Sequence, residues 1–212
     1  GIYKDEIPLK IIAVKNKDDV LLSRTRYRSW KYIKRGILNV GDYTVGKIRI
    51  IGDLDIGKIT IGNYTTISDN VIFNFDNFDI SNISSYNFEK NMLISHKKES
   101  QEKRKKKNST NEIIIGNDVF ISENVEILSG SKIGDGAIIL PNSKVNKSIE
   151  PYSINSGSPC VIKGYRYSIE NIKKMEKLQW WNWDKAVINS RIADLSSEKI
   201  DDFITKYYKF TV

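Results

Sequence analysis

Isoleucine or valine occupies every sixth position from Ile115 to Val145. A period of six fits neither the α-helix, with 3.6 residues per turn, nor an extended strand, in which every second side chain faces the same way. The repeated unit is therefore a short strand followed by a tight corner, which predicts a parallel β-helix and a mainly β fold. The predicted inward positions are Ile115, Ile121, Ile127, Ile133, Ile139 and Val145, and upstream Ile61, Ile67 and Phe73.

Small or branched side chains recur four residues after each inward aliphatic residue, and we expect them to be buried as well. Glycine, asparagine and aspartate stand between them, where corners need residues that tolerate positive φ. The alternative fold, an antiparallel sandwich, would require period-two alternation and longer turns. The predicted second row is Val119, Val125, Ser131, Ala137, Ser143 and Ile149, and the predicted corner residues are Gly116, Asn117, Asp118, Gly134, Asp135 and Gly136.

The hexapeptide spacing is absent between Asn74 and Glu112, which predicts a long loop inserted into the β-helix. Its segment from Lys97 to Lys107, KKESQEKRKKK, has seven basic and two acidic residues and accounts for most of the formal net charge of +8. A solvated mobile loop and attraction to an anionic ligand both remain open. Nucleic acid is not expected as a partner, because no helix-turn-helix, zinc-finger or aromatic RNA-binding pattern accompanies the charge.

The pattern becomes helical towards the C-terminus. Ser168 is predicted to cap a first helix, and two short helices are predicted for residues 184–192 and 197–208. Three neighbouring tryptophans at 180, 181 and 183 are interpreted as packing this tail against the end of the β-helix, with a substrate platform as the alternative. The predicted organisation is an N-terminal extension (1–38), a β-helix (39–164) with an inserted loop (74–112), and a short helical tail (165–212).

Composition adds few constraints. The chain has 212 residues, 40% of them apolar and 28% charged, as is ordinary for a globular protein. Without a run of 18 apolar residues or a signal-peptide pattern, no membrane insertion is expected. A single cysteine, Cys160, cannot form a disulfide within the chain, so we expect a cytoplasmic protein in which Cys160 fills the end of the core. Whether a further domain precedes Gly1 stays open.

Residues 39–195 resemble the hexapeptide-repeat acyltransferases of the xenobiotic acetyltransferase branch. These are relatives of the streptogramin and chloramphenicol acetyltransferases and include many sugar O-acetyltransferases. The resemblance rests on the repeats, on GDYT at 41–44 and on LQWWNWDKAVI at 178–188. It implies a left-handed parallel β-helix with three hexapeptides per coil, a homotrimer, and acetyl-CoA in a cleft between subunits, without a metal.

The same resemblance implies three groups of residues that bind acetyl-CoA. A turn contacts the adenine end, cations lie near the nucleotide phosphates, and coil positions flank the pantetheine arm. The matching residues are Ser158 and Pro159 for the turn, Lys163 and Arg166 for the phosphates, and Pro141 and Lys147 for the arm.

The catalytic position departs from the resemblance. Relatives carry an Asn-His-Arg triplet whose histidine deprotonates the acceptor hydroxyl, whereas this chain has Asn77, Phe78 and Asp79. Phenylalanine cannot take a proton, and a general base typically contributes about 10²–10⁴ in rate. The candidate bases are therefore Asp79 and His96, the only histidine in the chain.

Two functions remain open from the sequence. The first is acetyl transfer from acetyl-CoA to a hydroxyl, or as second choice an amine, of a sugar or glycan. The transfer would be direct and at a trimer interface, since no activated serine or cysteine nucleophile is visible. The second is a catalytically silent family member that acts as a trimeric binding or scaffold domain.

Overall fold

The chain winds into stacked coils of short parallel strands. The computed structural model describes the backbone of residues 4–8 and, in full, residues 32–52, 57–76, 83, 84, 86 and 112–208. The first face of the coils is a parallel sheet of β2 (Leu38–Val40), β4 (Lys58–Ile61), β6 (Glu112–Ile115) and β9 (Lys132–Ile133).

Two longer strands, β3 (Val45–Ile51) and β5 (Thr66–Asn74), turn a corner and so belong to two faces. The first part of β5 pairs with β7 (Phe120–Ile121) on the second face, and its last residues pair with β8 (Glu126–Leu128) on the third. The strands of these two faces are β3 (Val45–Ile51), β5 (Thr66–Asn74), β7 (Phe120–Ile121), β8 (Glu126–Leu128), β10 (Ile138–Ile139), β11 (Lys144–Val145) and β12 (Ser153–Ser156). At the two ends, β1 (Lys4–Pro8) pairs antiparallel with β3, and β13 (Val161–Tyr165) pairs antiparallel with β12.

The register confirms the predicted repeat. Ile115 pairs with Ile133 on the first face, and Ile121 pairs with Ile139 on the second. Equivalent residues of successive coils are thus 18 positions apart, as in the bond from Asn117 to Asp135, which is three hexapeptides. The mainly β architecture with a short helical tail is confirmed, and the hand of the coil stays a prediction.

The predicted inward rows form the core. Every one of the six aliphatic residues from Ile115 to Val145 is at most 2% exposed. Each such burial stabilises the fold by roughly 1.5–3 kcal/mol. In the second predicted row, Ser131 and Ser143 are also buried. Their polar hydroxyls are tolerated in the core because they donate hydrogen bonds to the backbone carbonyls of Val145 and Leu140.

Close approach of successive coils explains the corner glycines better than positive φ does. Positive φ is adopted by Asp118 and Gly136, but not by Gly116 or Gly134. A Cβ at Gly134 would lie 2.6 Å from the backbone nitrogen of Pro151 in the next coil. Glycine is therefore needed here for space. The same corner holds four such glycines: Gly41, Gly62, Gly116 and Gly134.

Side-chain bonds between coils stabilise this corner. The residue after each of these glycines is aspartate or asparagine, and at positions 63, 117 and 135 its side-chain oxygen accepts from the backbone of the coil before. Asn63 Oδ1 accepts from the N–H of Asp42, Asn117 Oδ1 from Asn63, and Asp135 Oδ1 from Asn117, over 2.6–2.8 Å. We call residues 41–44, 62–65, 116–119, 134–137 and 151–153 the first corner.

The helical tail follows β13 and contains α1 (Ile169–Leu178), a 3₁₀ helix (Trp180–Asn182), α2 (Lys185–Ser190), α3 (Ile192–Leu195) and α4 (Ile200–Tyr207). The predicted cap is confirmed, since Ser168 Oγ accepts from the N–H of Asn171 over 3.2 Å. The helix predicted for residues 184–192 is shorter and is followed by α3.

The tail returns along the first corner instead of covering only the end of the coils. Trp180 packs on Tyr64 at 5.0 Å between ring centroids, and the carbonyl of Trp181 accepts from the Asn63 side chain. The tryptophans therefore pack the tail, as interpreted from the sequence, but against the side of the second coil. Tyr152, Met175, Trp181 and Phe203 belong to the second core that results.

The substitution Gly134→Ala should lower the free energy of unfolding by about 2 kcal/mol, because the added methyl group overpacks the contact with Pro151. Urea denaturation measures the loss. Gly164→Ala is the matched control, since a Cβ there has no atom within 4 Å. Equal stability of both variants would contradict the role assigned to close coil approach.

Candidate functional site

The C-terminal end of the coils is closed by the hairpin of β12 and β13. Its loop, residues 157–160, lies against the fourth coil, where the N–H of Lys144 donates to Gly157 O and Lys144 O accepts from the N–H of Cys160, both at 2.9 Å. Ser143 Oγ also accepts from the N–H of Gly157 at 3.1 Å. Ser158 and Pro159 are thereby held on the surface and are exposed.

Two lysines lie at this end of the molecule. Lys147 and Lys163 are both exposed, and neither has an ion-pair partner among the described residues. Both are near Cys160: burial raises the pKa of this thiol, and the two ammonium groups oppose the rise. Each lysine is therefore near the loop that contains Ser158, Pro159 and Cys160.

Cys160 is fully buried as a free cysteine in the first core, as predicted. Burial raises the pKa of its thiol, so the nucleophilic thiolate is disfavoured at neutral pH. Pro141 is exposed at the corner of the fourth coil, and its carbonyl is 3.4 Å from Ser143 Oγ, which also contacts the loop.

Arg166 lies at the first corner, where its guanidinium is held by the third and fourth coils. One nitrogen donates to Asp118 Oδ2 at 3.0 Å and to the carbonyl of Gly136 at 2.8 Å. The guanidinium also lies 5.4 Å from the ring of Tyr152 and 5.3 Å from that of Tyr167. Its role in binding phosphates stays a prediction, whereas its role in attaching the tail is visible.

Burial raises the pKa of Asp118, although Arg166 opposes the rise. Burial lowers the pKa of Arg166, but Asp118 and the two tyrosines outweigh that effect and leave it above its ordinary value. The carboxylate of Asp118 is therefore expensive to keep ionised without this guanidinium.

A polar trio on the third face was not anticipated from the sequence. Asn74 Nδ2 donates to Glu126 Oε1 at 2.6 Å, and Lys144 Nζ is 2.9 Å from Glu126 Oε2. Burial raises the pKa of Glu126, but the bonds from Asn74 and Lys144 outweigh it, so the pKa lies below its ordinary value. One signal was available: Glu126 and Lys144 each precede an inward residue, and these inward residues are three hexapeptides apart.

The two candidate bases, His96 and Asp79, lie outside the described residues, as does Phe78. Within the described part of the chain, histidine, cysteine, aspartate and glutamate side chains nowhere gather in threes as metal ligands do. None of the helices in that part has the length and apolarity that a membrane span requires.

Residues 112–147 match the family model described as bacterial transferase hexapeptide (six repeats). These residues therefore carry the hexapeptide repeat. The matched residues are those that form β6 to β11, where three strands make each coil. The resemblance to hexapeptide-repeat acetyltransferases stated from the sequence is confirmed.

Two curated relatives are similar over part of the chain. A "Probable macrolide acetyltransferase" of Lysinibacillus sphaericus is 47% identical over 97 residues, which are 45% of this chain and 54% of the relative. A chloramphenicol acetyltransferase of Morganella morganii is 39% identical over 98 residues, which are 46% of this chain and 47% of the relative. The chain spans about half the length of these curated relatives.

Among solved structures, a hexapeptide-repeat acetyltransferase of Vibrio cholerae O1 biovar eltor, complexed with acetyl coenzyme A, superposes with a TM-score of 0.45. The two are 22% identical, and the match covers 62% of each chain.

Arg166→Ala should destabilise the protein by about 2 kcal/mol, because it leaves a largely buried carboxylate without its charged partner. The loss should be greatest at neutral pH and should shrink as the pH falls through the raised pKa of Asp118, where the carboxylate takes a proton. Thermal unfolding across a pH series measures both effects. Exposed Lys163→Ala is the control, and an equal shift in that variant would argue against the Asp118 contact.

Proposed function

We propose that this chain binds acetyl-CoA and transfers the acetyl group to a hydroxyl, or as second choice an amine, of a sugar or glycan. The observation that carries the proposal is the 47% identity over 97 residues to a relative named as a macrolide acetyltransferase. Lys147 and Lys163 support it, because they have no ion-pair partner within the described part of the chain. A nucleotide with several phosphates needs positive charge that no carboxylate already neutralises. Ser158, Pro159 and Pro141 complete the proposed acetyl-CoA site.

The proposed reaction is a direct transfer. The acceptor oxygen attacks the carbonyl carbon of the thioester, its proton passes to a base, and the carbon–sulfur bond breaks to release the CoA thiolate, which regains a proton. Cys160 is a poor candidate for a covalent intermediate, because its thiol is buried and its pKa is raised. We also propose a cytoplasmic location, with which the free thiol of Cys160 is compatible.

An antibiotic hydroxyl is the second candidate acceptor. Chloramphenicol, macrolide and virginiamycin appear in the names of the curated relatives, and this observation supports the antibiotic as an alternative acceptor. The chemistry of transfer is the same for both acceptors. A panel that contains chloramphenicol, erythromycin and methyl galactoside, with thiol release as the readout, separates them.

Replacing both Lys147 and Lys163 by alanine should weaken acetyl-CoA binding by about tenfold or more, because two charge-assisted contacts to phosphate are lost. Binding to the unchanged protein should also weaken with added salt. Isothermal titration calorimetry measures both. Lys132→Ala, an exposed lysine on the first face, is the matched control.

Absence of acetyl-CoA binding at millimolar concentration would refute this proposal. Binding without turnover on any acceptor would instead favour the silent scaffold.

We further propose a homotrimer, supported by an apolar row on the outer side of the second face. Phe120 is 41% exposed, and the residues in register with it on the next two coils are Ile138 and Ile154. On the closing strand β13, Val161, Ile162 and Tyr165 are also exposed. An apolar row with one exposed and two partly buried members, together with these exposed side chains, favours association with another protein surface.

Phe120→Glu should therefore dissociate the trimer, because it places a charge in the apolar row, while the circular dichroism spectrum stays that of a folded protein. Sedimentation velocity at micromolar concentration measures the change. Ile169→Glu is the matched control, since Ile169 is 69% exposed but lies on α1 of the tail. A monomeric unchanged protein, or dissociation by both variants, would contradict this interface.

A further inference from the structure

The trio of Asn74, Glu126 and Lys144 presents a fixed carboxylate on the third face. Its members come from three successive coils, on β5, β8 and β11. Both carboxylate oxygens of Glu126 are held, Oε1 by the Asn74 amide and Oε2 by the Lys144 ammonium. The N–H of Asp76 donates to Asn74 Oδ1 at 2.8 Å and so orients the amide in turn.

The carboxylate remains within reach of a ligand. The side chains of Glu126 and Lys144 are 29% and 42% exposed, so the trio is neither sealed in the core nor fully solvated. A carboxylate that is oriented by its neighbours and still accessible can accept a proton from a ligand without a further entropic cost of ordering its side chain.

The trio adjoins the proposed acetyl-CoA site. The backbone of Lys144 makes two of the hydrogen bonds that hold the loop at 157–160. Glu126 lies one coil, about 4.8 Å along the stack, before Lys144. On the other side, β5 ends at Asn74 and the coil resumes at Glu112. The trio is thus placed between the donor site and the start of the interruption in the repeat.

We propose that Glu126 is the general base that takes the proton from the acceptor hydroxyl, with Asn74 and Lys144 as its positioning residues. This inference rests on the proposed acetyl transfer. As the hydroxyl oxygen forms its bond to the thioester carbon, its proton moves to a carboxylate oxygen of Glu126. The carbon–sulfur bond then breaks, and the leaving thiolate recovers the proton from the Glu126 carboxyl.

Two other acids, Asp118 and Glu150, are bound at other places in the fold. Asp118 is bound inside the first corner by Arg166, and Glu150 accepts from the hydroxyl of Tyr165 on the closing strand. The lowered pKa of Glu126 keeps it ionised at neutral pH, which a proton acceptor requires. The charged groups around it are Lys144 on β11, Asp76 after β5 and, one coil further, Arg49 on β3.

The test compares Glu126→Gln with Glu112→Gln in the full chain, using acetyl-CoA with chloramphenicol, erythromycin or methyl galactoside, and with water as the default acceptor. Glu112 is a matched control, because its side chain is 32% exposed and it also faces a lysine, Lys58, at 3.7 Å. Glu126→Gln should lower kcat by about 10²-fold or more and leave acetyl-CoA affinity unchanged. Glu112→Gln should stay within about twofold of the unchanged protein.

A second variant, Lys144→Met, gives a readout that would not change if Glu126 had only a structural role. Loss of the ammonium removes a cause of the lowered pKa of Glu126, so the acid limb of the kcat/KM profile should move to higher pH. A profile that does not move, in a variant that is folded by circular dichroism, would overturn the assignment.

The remaining outcomes are also decisive. If Glu126→Gln keeps full activity, or if only His96→Ala loses activity, Glu126 is not the general base. The proposed function stays intact in both cases. Acetyl-CoA binding with no transfer to any acceptor would overturn the role of Glu126 as general base and would favour a catalytically silent scaffold protein. Absence of acetyl-CoA binding would remove the proposed function, and this inference with it.

Discussion

The spacing of stacked coils is the constraint on which the rest of the structure depends. Parallel strands in hydrogen-bonded contact lie about 4.8 Å apart, so equivalent residues of successive coils must align in rows. At the first corner the approach is so close that only glycine fits at Gly62, Gly116 and Gly134. Once the rows are aligned, every inward row becomes core and every outward row becomes a surface with one chemical character.

The outward rows differ in chemistry, and this difference separates the roles of the faces. The second face presents Phe120 with Ile138 and Ile154, and the third presents Glu126 with Lys144. The first corner serves the tail, which binds there through Trp180 and Arg166. One repeat therefore provides an apolar surface, a polar site and a corner that binds the tail on different sides of the same core.

Attachment of the tail also affects which cations are available at the proposed acetyl-CoA site. Arg166 and Lys163 are close in sequence and equivalent as cations, yet the guanidinium is committed to Asp118 while the ammonium is free of ion pairs within the described residues. Planar guanidinium suits such a half-buried position, where it can stack on Tyr152 and Tyr167 and still donate to a carboxylate. Positive charge available to an anionic ligand at this end therefore comes from the lysines.

The sequence by itself determined the coil, its inward rows and the capped tail helix, because these depend on local periodicity and cap chemistry. It also indicated Cys160 as a core residue. Only the tertiary structure decided which side chains meet across coils. Arg166 and Asp118 are 48 residues apart, and Asn74 and Glu126 are 52 apart. The hexapeptide spacing is interrupted after Asn74, so no sequence period relates Asn74 to Glu126. Their contact depends on the register in which β5 and β8 pair.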